Sequence, residues 1–190
     1  MNMKKWLITG GLAGVLAAAP GASMAIEANR CVTGTPTAAS YTWNFPKEAT
    51  RLLNGMRQDA NGVADHAAKL EMFATEPNLS WQAHADQLTR IKAEVNDMGM
   101  RLCRLQVIQR VSEPWQRQIT RRAAPLVQYM ADNTEDAINY LNAHQGDFWV
   151  PAYRMYTRNL YTEATTLARR IHAGQELAKV QNAHPSGVVG

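Results

Sequence analysis

The stretch Trp81 to Leu105, WQAHADQLTRIKAEVNDMGMRLCRL, decides the fold. Trp81, His84, Leu88, Ile91, Val95, Met98, Leu102 and Leu105 follow one another at steps of three and four. A strand would repeat every second residue. This spacing averages about 3.5 residues and lays one seam along a helix that packs against other helices. Ser80 stands before it as a cap, behind a Glu76-Pro77-Asn78 break, and the pattern predicts a helix over 80–111.

Working outward, the same period recurs three times. Upstream, Pro46 suits a first helical turn and Asn44 caps it; Ala49, Leu52, Met56, Val63, Leu70 and Phe73 then carry a helix over 46–75. Downstream, Ser112-Glu113-Pro114 supplies a cap and an early proline, and Trp115, Ile119, Leu126, Met130, Ala137 and Leu141 continue to about 145. Pro125 lies inside this third helix, where a missing N–H predicts a kink near 121–125 or two abutting segments. Gly146 and Asp147 then mark a stop and a new cap, and Tyr153, Tyr156, Leu160, Ala164, Leu167 and Ile171 extend a fourth helix towards 183. The three short connections cannot carry a helix back along the molecule, so sequential helices run antiparallel. The expected fold is all-α: an up-down-up-down four-helix bundle with long helices and an extended N-terminal lead segment.

Composition agrees with this class. The chain has 190 residues, 46% hydrophobic and 19% charged, enough for one packed core and too apolar for a disordered chain. With 12 Gly, 8 Pro and 2 Cys it is neither collagenous nor proline-rich nor a disulfide-dense scaffold.

The N-terminus reads as an export signal. Lys4 and Lys5 precede an uncharged run from Trp6 to Ala19, and the small residues Ser23 and Ala25 favour cleavage after Ala25. The run is 14 residues, shorter than the roughly 20 that span a bilayer, and no Cys follows the cut directly, so neither a transmembrane nor a lipid anchor is expected. The organisation is then a cleaved signal peptide over 1–25, an extended lead segment over 26–45, the bundle over 46–183 and a flexible tail over 184–190. The expected location is periplasmic or secreted. Export also changes the charge. The formal +4 of the chain falls to +2 when Lys4 and Lys5 leave, which removes the main argument for a nucleic-acid partner.

Charge is nonetheless separated along the bundle. The half containing 46–60, 97–129 and 165–183 carries 12 basic and 5 acidic residues, whereas 61–96 with 130–164 carries 5 basic and 10 acidic. Arg101, Arg104, Arg110, Arg117, Arg121 and Arg122 flank a single turn and form a candidate pole for an anionic partner such as phospholipid, an envelope polymer or an acidic protein.

Motifs for catalysis and cofactors are mostly missing. There is no Cys-x-x-Cys-His, no His-Glu-x-x-His and no phosphate-cradling glycine loop; the residues three before His66, His84, His144 and His172 are Val63, Trp81, Leu141 and Arg169, not the Glu of di-iron bundles. His66, His84 and His144 are weak metal candidates. They fall about 11, 7 and 3 residues from one end of the bundle, a spread of up to about 12 Å that ligand distances of about 2 Å do not tolerate. Met56 and His172 are weak candidates as axial haem ligands, resembling b-type cytochrome bundles in layout only. The tryptophans near helix starts, Trp81, Trp115 and Trp149, read as closing the ends of the core. Cys31 and Cys103 are the natural disulfide pair in an oxidising compartment, where a closed loop of about 70 residues contributes about 4 kcal/mol in the chain-entropy picture.

The leading expectation is an exported, non-enzymatic bundle acting by binding or assembly in the cell envelope, without a cofactor. A haem- or metal-carrying bundle is the alternative, and an enzyme would need a site built from dispersed residues. The regular seam of 81–105 also suits packing between copies of the chain, as a homo-oligomer.

Overall fold

The structure, a computed structural model, describes residues 43–76, 80–145 and 150–183. The expected signal peptide, all but the end of the lead segment, and the tail from His184 onward lie outside the described residues.

Four helices make up the fold. Helix α1 spans Phe45–Phe73, α2 Trp81–Val107, α3 Pro114–Ala143 and α4 Pro151–Ala183, with a short 3-10 turn Gln109–Val111 between α2 and α3. Asn44 caps α1 as expected, its side-chain oxygen accepting from the Lys47 N–H at 2.9 Å. Two other caps differ from expectation. Ser80 precedes α2 in an extended conformation and makes no side-chain capping bond. At α3 the cap is Glu113, one residue beyond Ser112: the Glu113 N–H donates to Gln116 Oε1 at 2.9 Å in a capping box. Ser112 instead turns back and donates its hydroxyl to the Ile108 carbonyl at 2.9 Å. The preceding helix therefore ends at Val107, and the 3-10 turn occupies the last residues expected to be α-helical.

Helix α3 runs through Pro125 as one helix. The proline is exposed, so its ring points away from the core and the Arg121 carbonyl that lacks its ladder partner lies on the solvated side.

Each helix packs on its neighbours in sequence, and α4 closes the ring against α1. Polar contacts give the directions. Glu48 meets Arg104 and His66 meets Gln87, so α1 and α2 are antiparallel. Asn54 meets Gln175 and Glu71 meets Arg158, so α1 and α4 are antiparallel as well. This is the up-down-up-down four-helix bundle.

All four helices follow the 3.5-residue repeat that was plain only in α2. The buried residues of α1 include Ala49, Leu53, Met56, Ala60, Val63, Ala67, Leu70 and the adjoining Ala74, stepping four, three, four, three. In α3 the series is Gln116, Thr120, Ala123, Val127, Met130, Thr134, Ala137 and Leu141, and in α4 it is Tyr153, Thr157, Leu160, Ala164, Leu167, Ile171, Gly174 and Ala178. The cross-helix contacts bring these seams into step. Met56, Met98, Ala123 and Ile171 fall at one level, and Ala60, Val95, Val127 and Leu167 at the next. Large and small side chains mix within a level, which is how facing seams fill space without voids. Leu52, read as a seam residue, is only half-buried, and its neighbour Leu53 takes the core position.

Candidate functional site

The end of the bundle where α1 begins, α2 and α3 meet and α4 finishes carries the six arginines singled out from the sequence. They divide into two groups.

Arg101 and Arg104 are tied to acids of α1. Arg104 forks onto Glu48, Nε to Oε1 at 2.7 Å and Nη2 to Oε2 at 3.2 Å, and the Trp43 indole N–H donates to Oε2 of the same carboxylate at 2.5 Å. Glu48 is buried. The Arg104 hydrogen bonds hold its pKa below the usual carboxylate value, against an opposing push from burial and with further help from Trp43. Arg101 reaches Asp59 at 2.7 Å and Asp97 at 3.9 Å. It lies over Gly55, where a Cβ would overlap its Nε. Burial raises the pKa of Asp59 and Asp97 adds to the rise, while Arg101 opposes it.

The others face outward around the turn. Arg117 is half-buried and donates to the Ser112 carbonyl, bracing the start of α3. Arg110, Arg121 and Arg122 are exposed, and among the described residues they make no hydrogen bond or ion pair. Lys47 and Arg51 are exposed on the first turns of α1 nearby. They line an open groove of about 580 Å³ beside Trp43, together with Glu48, Thr50 and Asn54. The candidate basic end is thus narrower than the sequence suggested: among the described residues it has three guanidiniums without an ion pair and one bracing one. What separated the two groups is the antiparallel pairing of α1 with α2, which sets Glu48 and Asp59 opposite Arg104 and Arg101.

The histidines are not brought together. His66 is half-buried between α1 and α2, its Nδ1 2.8 Å from Gln87 Oε1 and its Nε2 3.7 Å from Glu94 Oε1. His84 is buried in the α2 seam, its Nδ1 3.1 Å from the Tyr153 hydroxyl and its ring 5.7 Å from that of Phe73; burial lowers its pKa. His144 is exposed and stacks on Tyr140, with ring centroids 4.2 Å apart. Among the described residues no group of three or more His, Cys, Asp or Glu side chains is placed to hold a metal ion. Met56 is fully buried in the core, whereas His172 is exposed, 3.4 Å from Arg57 and 3.9 Å from Glu176. The residue next to a seam position points outward, so the two do not face one space. Of the aromatics, Trp81 and Trp115 are half-buried at helix starts, and Trp149 lies outside the described residues. Cys103 is half-buried one residue past the seam residue Leu102, and Cys31 lies outside the described residues.

No described helix is long and apolar enough to cross a membrane. Comparison with protein-family models, curated proteins and solved structures finds no match. What the fold defines is its class, a four-helix bundle with charge separated end from end.

Proposed function

We propose that this protein is an exported, non-enzymatic bundle of the cell envelope that works by binding or assembly, docking its Arg-rich end on an anionic partner. The observation that carries the reading is the contrast within one cluster. Glu48 and Asp59, two of the five acids of the same half, are taken up by Arg104 and Arg101, while Arg110, Arg121 and Arg122 are exposed around a single turn and, among the described residues, unpaired. Charges left in water without an ion pair keep their long-range attraction for a partner, screened by salt over about 8 Å at physiological ionic strength.

Export rests on the layout of residues 1–25. The reading includes a Cys31–Cys103 disulfide: these are the chain's two cysteines, no cysteine among the described residues is free, and an exported chain meets an oxidising compartment. Edman sequencing of the mature protein is expected to start at Ile26, and a thiol assay is expected to find free thiols only after reduction.

The test of docking is binding to a heparin matrix and to anionic vesicles at low and high salt. Arg110→Glu, Arg121→Glu and Arg122→Glu combined are expected to abolish both. Unchanged binding by the triple variant overturns the reading.

A further inference from the structure

Four of the exposed large apolar side chains lie at the same end. Val111 is 48% exposed on the turn between α2 and α3, and Leu177 and Val180 are 64% and 60% exposed on the last turns of α4. Trp43, 54% exposed, stands where the chain enters α1, its indole N–H turned to Glu48. These four come from three separate places in the chain, and the bundle topology alone collects them. The level of α4 is given by Gly174, where a Cβ would lie 2.8 Å from Ile119 and 3.7 Å from Trp115, so Leu177 and Val180 extend one and two turns beyond it towards the end. An exposed Leu or Val by itself means nothing, because much of any protein surface is apolar. Here the apolar tips share an end with unpaired guanidiniums.

We infer that the anionic partner is a phospholipid surface, met end-on, with Val111, Leu177, Val180 and Trp43 entering the boundary between headgroups and acyl chains while Arg110, Arg121 and Arg122 pair with lipid phosphates. This rests on the basic-end reading and makes it specific. A soluble polyanion engages the guanidiniums and has nothing to offer three aliphatic tips. A lipid surface uses both: phosphates draw the arginines, and apolar groups gain by leaving water at the acyl boundary. Trp43 suits that boundary, having a large apolar body and a polar edge already hydrogen-bonded. The separation of charge adds orientation, because the opposite half, with twice as many acidic as basic residues, is repelled by the same surface. The protein would sit on the membrane and not cross it.

The test compares two variants of the full mature protein on two probes. One carries Val111→Gln, Leu177→Gln and Val180→Gln; the other is the Arg110→Glu, Arg121→Glu, Arg122→Glu triple. The probes are vesicles of equal parts phosphatidylglycerol and phosphatidylcholine, read by co-sedimentation, and heparin, read by retention. The glutamine triple is expected to bind vesicles at least about tenfold more weakly, since even partial burial of three aliphatic side chains is worth that much, and to keep its heparin retention. The glutamate triple is expected to lose both. All six positions are exposed, and matching far-UV circular dichroism confirms that each variant folds. If the glutamine triple binds vesicles as wild type does, the lipid inference is overturned and the basic end stands as a site for soluble polyanions. If the glutamate triple keeps both activities, the basic-end reading itself fails.

Discussion

Glu94 is placed where a carboxylate does not want to be, and replacing it with glutamine stabilises the bundle in a pH-dependent way. The residue projects from α2 into a notch in α1 at Gly62, where any Cβ would overlap its carboxyl oxygens. Its Oε2 is buried with no hydrogen-bond partner, and its Oε1 is 3.7 Å from His66 Nε2. Burial, reinforced by the carboxylates of Asp59, Asp65 and Asp97 and only partly offset by Arg90, raises its pKa from 4.5 to about 7. Between those two values the folded protein keeps a proton that the unfolded chain has released. Stability therefore falls as the pH rises through that window and stays lower above it. A shift of this size is worth at most about 3 kcal/mol. The side chain is 27% exposed, and solvent screening reduces the cost to about 1–2 kcal/mol. Glu94→Gln cannot ionise, so it is expected to match wild type at about pH 4 and exceed it by about 1–2 kcal/mol at about pH 8. Urea unfolding followed by circular dichroism across this range measures the difference directly. A difference between the two proteins that stays constant with pH refutes the placement of the carboxyl. Gly62→Ala approaches the same result by another route. Its methyl displaces the carboxyl into water, and the helix gains about 1 kcal/mol of propensity besides.

The same substitution at Gly174 is expected to act in the opposite sense. Its Cβ would meet Cγ1 and Cδ1 of Ile119, both at 2.8 Å, and a β-branched side chain has few rotamers in which to retreat; overpacking of about 1–3 kcal/mol outweighs the propensity gain. Ile119→Val removes one of the clashing carbons, so the double variant should recover part of the loss, and additive effects in that cycle would contradict the packing. Arg104→Gln leaves the buried Glu48 carboxylate without its fork and is expected to cost about 1–3 kcal/mol near neutral pH. Because the folded pKa of Glu48 lies below its unfolded value of 4.5, this contribution is full above 4.5 and lost as pH falls through the folded pKa; the two proteins should converge in acid titrations of stability. In the core, Met56→Ala is expected to cost about 2–5 kcal/mol, while Met72→Ala on the exposed face should stay within about 0.5 kcal/mol, as read from urea midpoints at constant slope.

The α2 seam was legible because its positions hold large apolar residues, with His84 the one polar member. The other three seams use the same period but fill it with Ala60, Ala67, Thr134, Thr157 and Gly174, residues that do not declare themselves as core. They are buried because a large side chain stands at the same level on a facing helix, and no single helix contains that information. Leu52 and Leu53 make the point at one step. Both are leucine, and only the direction of the facing helices decides that Leu53 goes inside.

The candidate site divides in the same way. By itself the sequence determined the helices, their antiparallel order and the gathering of arginine around one turn, because hydrophobic period, proline, caps and short connections are local properties. Only the tertiary structure decided which arginines stay free. Arg101 and Arg104 look like Arg121 and Arg122 in the sequence, and they differ because the pairing of α1 with α2 lays Asp59 and Glu48 within reach of the first two, whereas among the described residues no acid pairs with the second two. Val111, Leu177, Val180 and Trp43 are likewise scattered along the chain and meet only where the bundle ends. Local pattern sets what each helix is; the distance between residues far apart in sequence sets what their charges and apolar tips can do.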